Sequence, residues 1–299
     1  MPVQRLDVAA MGGNVHAILI DPVPGAEALV RGRLAELEQR WSRFRADSEL
    51  SRLNAAGGEP TPVSPDTERL VRLAVRAWQS TGGAFDPSVH DALVGLGYDR
   101  DFAAGPSRDS DYRPRPAPGC AGIEIAPGSI QLPAGVRLDP GGLGKGLAAD
   151  LITAELLALG CAGACLNVAG DLRVRGAGPD GPGWRIGIDD PHDHRRLLLE
   201  LTLDDGGCAT SSVRGRQWGA GRHHLIDPST GLPLAGELVA VTVLAPDAAV
   251  AEALTKAVLV RGLPATEAML TELDAVAVAV GGGDRILLSQ RWPASELLA

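Results

Sequence analysis

The order of helical and strand-like patterns along the chain restricts its fold more than any other feature. A first alternating strand at 14–20 is followed by two stretches with apolar residues at helical spacing, 25–44 and 65–82. A third helix is predicted to begin in a glycine-rich segment and to reach Leu159, where Gly160 ends it. Because helices and strands do not alternate regularly, the sequence predicts an α+β fold rather than a doubly wound parallel sheet.

The second half of the chain carries most of the predicted strands. Short strands are predicted at 122–126, 135–138, 163–168, 171–175, 184–188, 197–203 and 238–245. A helix is predicted to begin after Asp247, which would cap it, and to reach about Val260; a last helix and a hairpin follow. Residues from about 99 to 120 are rich in Asp, Arg, Pro and Gly and are predicted to form a loop. We expect the 299 residues to form one domain, 1–299.

The charge balance argues against nucleic acid as a partner. The chain has 37 acidic and 28 basic residues, a net charge of −9, and no basic run. The N-terminal segment lacks a secretion signal and no apolar run reaches membrane-spanning length, so we expect a cytoplasmic protein with no integral membrane segment. The four cysteines lack zinc-like spacing, and Cys161 and Cys165 are interpreted as small buried thiols.

Lysine is rare here: Lys145 and Lys256 are the only two, and every other basic side chain is arginine. Lys145 lies in "LDPGGLGKGLAAD" (138–150). This segment fails the phosphate-loop pattern, because Gly146 stands where a Ser or Thr should follow the lysine. Glycines at a helix start still expose backbone N–H groups to an anion, and Asp139 ahead of them could cap the helix or hold a ligand hydroxyl. The alternative is a glycine-rich turn with a solvated lysine.

Lys256 lies in "DAAVAEALTKAVLVRG" (247–262), a helix that is apolar apart from a few residues. Glu252, Thr255 and Lys256 are spaced so that they share one face of this helix. One interpretation is a solvent-facing Glu–Lys pair, worth a few tenths of a kcal/mol. Because an arginine would pair with Glu252 equally well, a lysine at position 256 is also consistent with a functional role for this side chain.

Three further segments carry polar groups at turns. "TGGAFDPSV" (81–89) places Asp86 after a Gly-Gly turn, and "LNVAGDLRVRG" (166–176) predicts a hairpin with Asp171 at its turn. "RHHLIDPSTGLP" (222–233) adds His224 and an Asp-Pro turn. Each segment has an ordinary structural explanation when it is taken alone.

Taken together and in this order, the segments resemble the ApbE family, the FAD:protein FMN transferases. The resemblance runs from "MGGNV" through "RFRADSELSRLN", "GGAFDPSV", "LDPGGLGKGLAAD", "LNVAGDL", "ATSS" and "HHLIDPSTG" to "AEALTKAVLVRG", which is nearly the whole chain. It implies one compact α+β domain in two lobes, with FAD in the cleft between them. It also implies that FAD is contacted by Met11, Asn54, Ala84, Phe85, Asp86, Asp139, Lys145, His224 and Ile226.

The resemblance implies a reaction as well. Family members cleave FAD, attach FMN through a phosphoester bond to a Thr or Ser hydroxyl of an acceptor flavoprotein, and release AMP. The acceptor hydroxyl is then the nucleophile, and Asp171 is a candidate to position or deprotonate it. Lys145 suits a phosphate oxygen, because its ammonium is a compact point charge. The alternatives are an FAD pyrophosphatase, which forms FMN and AMP, and a non-catalytic flavin-binding protein.

The sequence departs from the family where magnesium is expected. The family's helix reads Ala-Asp-Ala-Leu-x-Thr, whereas Glu252 and Lys256 stand at the Asp and Thr positions here. A protonated lysine cannot ligate a metal. Two hypotheses follow: Glu252, Thr255 and the Gly142 carbonyl still hold Mg²⁺, or the Lys256 ammonium takes the place of the ion and acts in catalysis with Lys145. The family's N-terminal "MGT" is also "MGG" here.

Overall fold

Helices and strands follow one another in an irregular order in this computed structural model, which describes residues 1–105, 112–219, 221–293 and 296–297. The helices are α1 (Ala26–Trp41), α2 (Glu49–Ala55), α3 (Pro65–Ser80), α4 (His90–Gly95), α5 (Gly144–Leu159), α6 (Ala248–Arg261) and α7 (Leu263–Glu272). The strands are β1 (Val3–Ala10), β2 (Gly13–Ile20), β3 (Thr61–Pro62), β4 (Glu124–Ala126), β5 (Ser129–Gln131), β6 (Gly163–Val168), β7 (Asp171–Gly176), β8 (Trp184–Asp190), β9 (Asp193–Leu203), β10 (Gly206–Ser212), β11 (Gln217–Trp218), β12 (Arg222–His223), β13 (Ile226–Asp227), β14 (Leu232–Pro233), β15 (Leu238–Ala245), β16 (Val276–Gly281), β17 (Ile286–Leu288) and β18 (Glu296–Leu297).

An eight-stranded sheet forms the centre of the fold, in the order β1-β2-β6-β7-β10-β15-β16-β17. Each neighbouring pair in it is antiparallel. The predicted α+β class is therefore confirmed, since a doubly wound fold would have parallel strands. None of the helices in the described part of the chain is long and apolar enough to cross a bilayer.

Helices α1, α5 and α6 cover one face of this sheet. Leu34, Trp41, Leu147 and Ile152 are buried in one apolar cluster with Leu19 of β2. The start of α5 lies directly against the start of α6, because a Cβ on Gly146 would stand only 2.4 Å from the Ala248 carbonyl oxygen. Only glycine allows this approach, and the approach brings the glycine-rich segment beside α6.

The hairpin of β8 and β9 covers the opposite face of the sheet. Trp184, Ile188 and Leu199 of the hairpin pack in one cluster with Leu172 and Val278 of the sheet. Residues on the two faces alternate along each strand, as the pleat requires. Cys120, Cys161, Cys165 and Cys208 are free and buried, which confirms the interpretation of Cys161 and Cys165 as buried thiols.

Three local predictions need comment. Residues 135–138 do not form a strand; β5 at Ser129–Gln131 pairs with β3 and β4 instead. Asp247 occupies the N-cap position of α6, but its side chain makes no capping hydrogen bond. The predicted loop at about 99–120 is irregular apart from a 3₁₀ turn at Phe102–Ala104. Its residues 106–111 lie outside the described part of the chain.

Asp150 of α5 caps α6 in place of Asp247. Its two carboxylate oxygens accept hydrogen bonds from the backbone N–H groups of Ala248 (2.9 Å) and Ala249 (3.0 Å). The Nε atom of Arg173 lies 3.4 Å from the same carboxylate. Burial raises the pKa of Asp150 to about 6, although these N–H groups and Arg173 favour the charged form.

We expect Asp150→Ala to lower the free energy of unfolding by about 2–4 kcal/mol, because it removes a buried cap and leaves Arg173 without one of its acidic partners. Asp150→Asn keeps one acceptor oxygen and should lose less. Urea unfolding of the parent and both variants measures the effect. An alanine variant as stable as the parent would show that this cap does not contribute to the free energy of unfolding.

Candidate active site

A cavity of about 360 Å³ gathers residues from distant parts of the sequence. Of the residues expected to contact FAD, the cavity is lined by Met11, Ala84, Phe85, Asp86, Asp139, Lys145, His224 and Ile226. Gly142 and Lys256 line it as well. Asn54 does not: its carboxamide hydrogen-bonds both the N–H and the carbonyl oxygen of Leu138, each at 2.8 Å. Asn54 therefore fixes the backbone directly before Asp139 and does not face the cavity.

One side of the cavity is aromatic. All three phenylalanines of the chain, Phe44, Phe85 and Phe102, line it together with Tyr98. The Tyr98 ring lies 5.6 Å from that of Phe44 and 6.1 Å from that of Phe102, between ring centroids. The guanidinium carbon of Arg43 lies 4.2 Å from the Phe44 centroid and 4.4 Å from that of Tyr98. Such a wall offers flat faces to a planar ring system.

Asp139 and Asp86 are both buried beside this wall, and both are already engaged. One oxygen of Asp139 accepts a hydrogen bond from the Gly141 N–H (2.7 Å), and the other lies 2.6 Å from Nε of Arg43. Asp86 accepts hydrogen bonds from the N–H (2.8 Å) and the hydroxyl (2.6 Å) of Ser88. Burial raises the pKa of Asp86, against these hydrogen bonds. Each carboxylate thus stabilises, through these hydrogen bonds, a turn of the chain that lines the cavity.

The two lysines form the charged end of the cavity, where Gly142 lies between Lys256 and Phe85. The Nζ atom of Lys145 makes a hydrogen-bonded ion pair with Asp171 and lies 3.2 Å from Oε1 of Glu252. The Nζ atom of Lys256 lies 3.6 Å from the same Oε1 and donates to the Glu252 carbonyl oxygen at 3.0 Å. Glu252 also accepts from the Gly146 N–H at 2.8 Å. The interpretation as a solvent-facing Glu–Lys pair is wrong, because Glu252 is 0% exposed.

Burial and ion pairing act in opposite directions on the two ammonium groups of this cluster. Burial lowers the pKa of both Lys145 and Lys256, while the Glu252 carboxylate raises each of them. Asp171 is 1% exposed, and its Oδ1 atom is buried without a hydrogen-bond partner among the described residues. The cluster therefore combines two ammonium groups with a carboxylate oxygen that can still accept a proton.

The expected metal ligands Thr255 and Gly142 have other neighbours in this structure. The Thr255 hydroxyl donates to the Glu252 carbonyl oxygen (2.7 Å) and shares a hydrogen bond with the Ser211 hydroxyl (2.7 Å). A Cβ on Gly142 would lie 3.7 Å from Cε of Lys256, so the lysine occupies the space beside that glycine. No group of three or more His, Cys, Asp or Glu side chains in the described residues is arranged to hold a metal ion.

Arg216 and His224 complete the charged end of the cavity. Arg216 donates to the Gly12 carbonyl oxygen at 3.0 Å and so ties the turn that holds Met11 to the site. The Nδ1 atom of His224 is buried without a hydrogen-bond partner among the described residues. Burial, with the positive charges of Arg216, Lys256 and Lys145, lowers the pKa of His224 to about 3, which keeps the imidazole neutral. Sequence patterns did not indicate Arg43 or Arg216, since arginine is common throughout the chain.

Comparison with known proteins identifies the family. A model of the ApbE family matches residues 11–280. The FAD:protein FMN transferase of Treponema pallidum is 32% identical over 268 residues, which cover 81% of this chain and 73% of that protein. The structure of the ApbE protein of Thermotoga maritima aligns with a TM-score of 0.85 at 24% identity over 97% of both chains, and so shares the fold. The apo flavinyl transferase ApbE of Pseudomonas stutzeri aligns with a TM-score of 0.80 at 26% identity, over 97% of this chain and 95% of that one. This chain therefore belongs to the ApbE family.

Proposed function

We propose that this protein cleaves FAD and transfers the FMN half to a Thr or Ser hydroxyl of an acceptor protein, releasing AMP. The names of its relatives supply the reaction class. The observation that carries the proposal is the cluster of Lys145, Lys256, Asp171 and Glu252 at one end of an aromatic-walled cavity. A flavin dinucleotide needs both features, because it joins planar rings to an anionic pyrophosphate.

FAD enters this scheme as the substrate. The aromatic wall with Phe44, Phe85 and Tyr98 suits its ring systems, and Met11, Ala84 and Ile226 add apolar contacts. The pyrophosphate belongs beside Lys145 and Lys256, which neutralise the charge that builds up on phosphate oxygens. Asp86 and Asp139 line the cavity through the turns that they hold, and neutral His224 lines it as well.

The transfer is a displacement at the phosphorus of the FMN half. The acceptor hydroxyl oxygen forms a bond to that phosphorus, and the bond from phosphorus to the bridging oxygen breaks. The bridging oxygen leaves with AMP, and the hydroxyl proton passes to the free Oδ1 of Asp171. The Asp171–Lys145 contact supports this role, since it joins the base to a phosphate-binding ammonium. No Ser or Cys nucleophile of this chain is required.

The residues at the expected magnesium position do not fit Mg²⁺. A hard divalent cation needs several oxygen ligands at about 2.1 Å. Here an ammonium group lies beside Glu252, and the Thr255 hydroxyl is taken by Ser211 and a backbone carbonyl. We therefore derive no step through a metal ion, and assign to Lys256 a permanent positive charge at this position.

We expect FMN transfer to be unaffected by EDTA, and titration calorimetry with Mg²⁺ to detect no binding to the FAD-free protein. Lys256→Thr should lower transfer about 100-fold, the loss expected for one group that stabilises the transition state, whereas Lys256→Arg keeps the charge and should lose less. Loss of activity on chelation with full rescue by Mg²⁺ would contradict this assignment and restore the hypothesis of a site formed by Glu252, Thr255 and Gly142.

The proposed function is tested by weighing products. Purified protein is incubated with FAD and a pool of short synthetic peptides, each carrying one Thr among small and aliphatic residues. An FMN-sized mass increase on a peptide, with release of AMP, is the expected result. FMN and AMP in equal amounts with no modified peptide would identify a pyrophosphatase, and unchanged FAD would identify a binding protein.

A further inference from the structure

A second cavity, of about 450 Å³, adjoins the first across a common wall. The residues that line both cavities are Gly141, Lys145, Arg216, His224 and Lys256. The groups proposed to hold the pyrophosphate can therefore be reached from two sides. The Ala169–Gly170 turn also lines the second cavity, and Asp171 follows it directly.

The second cavity lies between the central sheet and the hairpin of β8 and β9. On the sheet side, Thr210, Thr242 and Val278 stand opposite one another on three neighbouring strands. The hydroxyls of Thr210 and Thr242 are 2.8 Å apart. Ile188 and Leu198 of the hairpin line the other side. The cavity thus offers hydroxyl groups and apolar surface next to each other.

We infer that this second cavity receives the segment of the acceptor protein that carries the Thr or Ser hydroxyl. The inference rests on the proposed function. In a displacement at phosphorus, the attacking and leaving oxygens lie roughly in line on opposite sides of the phosphorus atom. With FAD in the first cavity, the hydroxyl arrives through the wall formed by Lys145 and Lys256, which is the side that the second cavity opens onto.

The chemistry of the lining favours a polypeptide over a nucleotide. Apart from the common wall, none of the residues described around this cavity is Lys, Arg or His, and Asp189 is the charged one. A phosphate group would find no countercharge there. An extended, uncharged peptide suits the lining better: Thr210 and Asn167 can hydrogen-bond its backbone, and the apolar surface near Leu198 can hold a neighbouring side chain.

The inference is tested by filling the cavity without touching the common wall. Thr210 is exposed, so Thr210→Phe adds a ring to the cavity at low cost to folding. The matched control is Thr202→Phe on β9, which is also exposed and lines neither cavity. Transfer to the synthetic peptide pool and the dissociation constant for FAD, from flavin fluorescence, are measured for the parent and both variants.

We expect Thr210→Phe to lower peptide modification at least about tenfold, as for an overpacked site. Its FAD dissociation constant should equal that of the parent, and Thr202→Phe should match the parent in both. If Thr210→Phe modifies peptides as fast as the parent, or binds FAD more weakly, the inference is overturned while the proposed function stands. A parent protein that modifies no peptide overturns the proposed function, and the inference with it.

A photo-crosslinking measurement on the parent gives an answer that does not depend on any variant. A modified peptide from the pool is remade with a benzophenone side chain beside its Thr and irradiated with the protein and FAD. Crosslinks to residues that line the second cavity alone, such as Leu198 or Val278, are expected. Crosslinks confined to residues of the first cavity, such as Phe44 or Tyr98, would place the acceptor elsewhere and overturn the inference.

Discussion

Lys145→Arg should lower the rate of FMN transfer by about 100-fold, although it keeps the positive charge. The ammonium of Lys145 fits between Asp171 and Glu252 at the start of α5, where Gly146 already lies against α6 with no space to spare. A planar guanidinium is larger and spreads its charge over three nitrogens, so it cannot occupy this position and still face a phosphate oxygen. Single-turnover kinetics with saturating FAD measures the change in rate.

The matched control is Lys256→Arg, the same change at the other lysine. The Nζ atom of Lys256 lies 3.6 Å from the Glu252 carboxylate, and none of the ion pairs described joins it to Asp171, so its replacement should cost less than that of Lys145. Lys145→Met serves as a second comparison. It leaves Asp171 without its ammonium and Glu252 with Lys256 alone, which should also lower the unfolding free energy by about 3–5 kcal/mol. A Lys145→Arg variant as fast as the parent would contradict the role assigned to a compact charge.

Asp171→Asn should lower transfer by about 10²- to 10⁴-fold, the range expected when a general base is removed. The amide retains the shape of the side chain and can still contact Lys145, but it cannot take the proton of the acceptor hydroxyl. Because Asp171 does not line the cavity proposed to bind FAD, the dissociation constant for FAD should change little. The two quantities are measured by peptide mass and by flavin fluorescence.

Asp247→Asn provides the control for this change. Asp247 is exposed and makes no capping hydrogen bond to α6, so the variant should transfer FMN at the rate of the parent. If Asp171→Asn also retained the parent's rate, Asp171 would not be the base. If it lost affinity for FAD instead, its main role would lie in holding Lys145 in place.

Local patterns in the sequence predicted α1, α3, α5, α6 and several sheet strands because their causes are local, but they did not indicate β1, β10, α2 or α4. The glycine-rich segment and Gly160 mark both ends of α5, and alternation marks β6 and β7. The prediction failed where a distant residue decides the structure. Asp150 caps a helix that begins 98 residues later in the chain, and no pattern near Asp247 indicates this. Residues 135–138 alternate like a strand, but Asn54 takes the backbone groups of Leu138 that a ladder would need.

The same distinction applies to the site. The order of motifs indicated which segments matter, and the rarity of lysine drew attention to Lys145 and Lys256. Rarity cannot detect Arg43 or Arg216, because arginine is the common basic residue of this chain. Spacing along α6 also cannot distinguish a buried glutamate from an exposed one. Glu252 is buried because the start of α5 packs beside it, and only the three-dimensional structure shows this contact.

The confinement of lysine to one site has a practical consequence. Side-chain primary amines occur here only at Lys145 and Lys256, which are 16% and 17% exposed through the cavity walls. An acylating reagent small enough to enter therefore modifies side-chain amines nowhere else on the molecule. The extent of its reaction at these two lysines, followed by peptide mass so that the N-terminal amine is counted separately, reports how much of the protein has its cavities occupied.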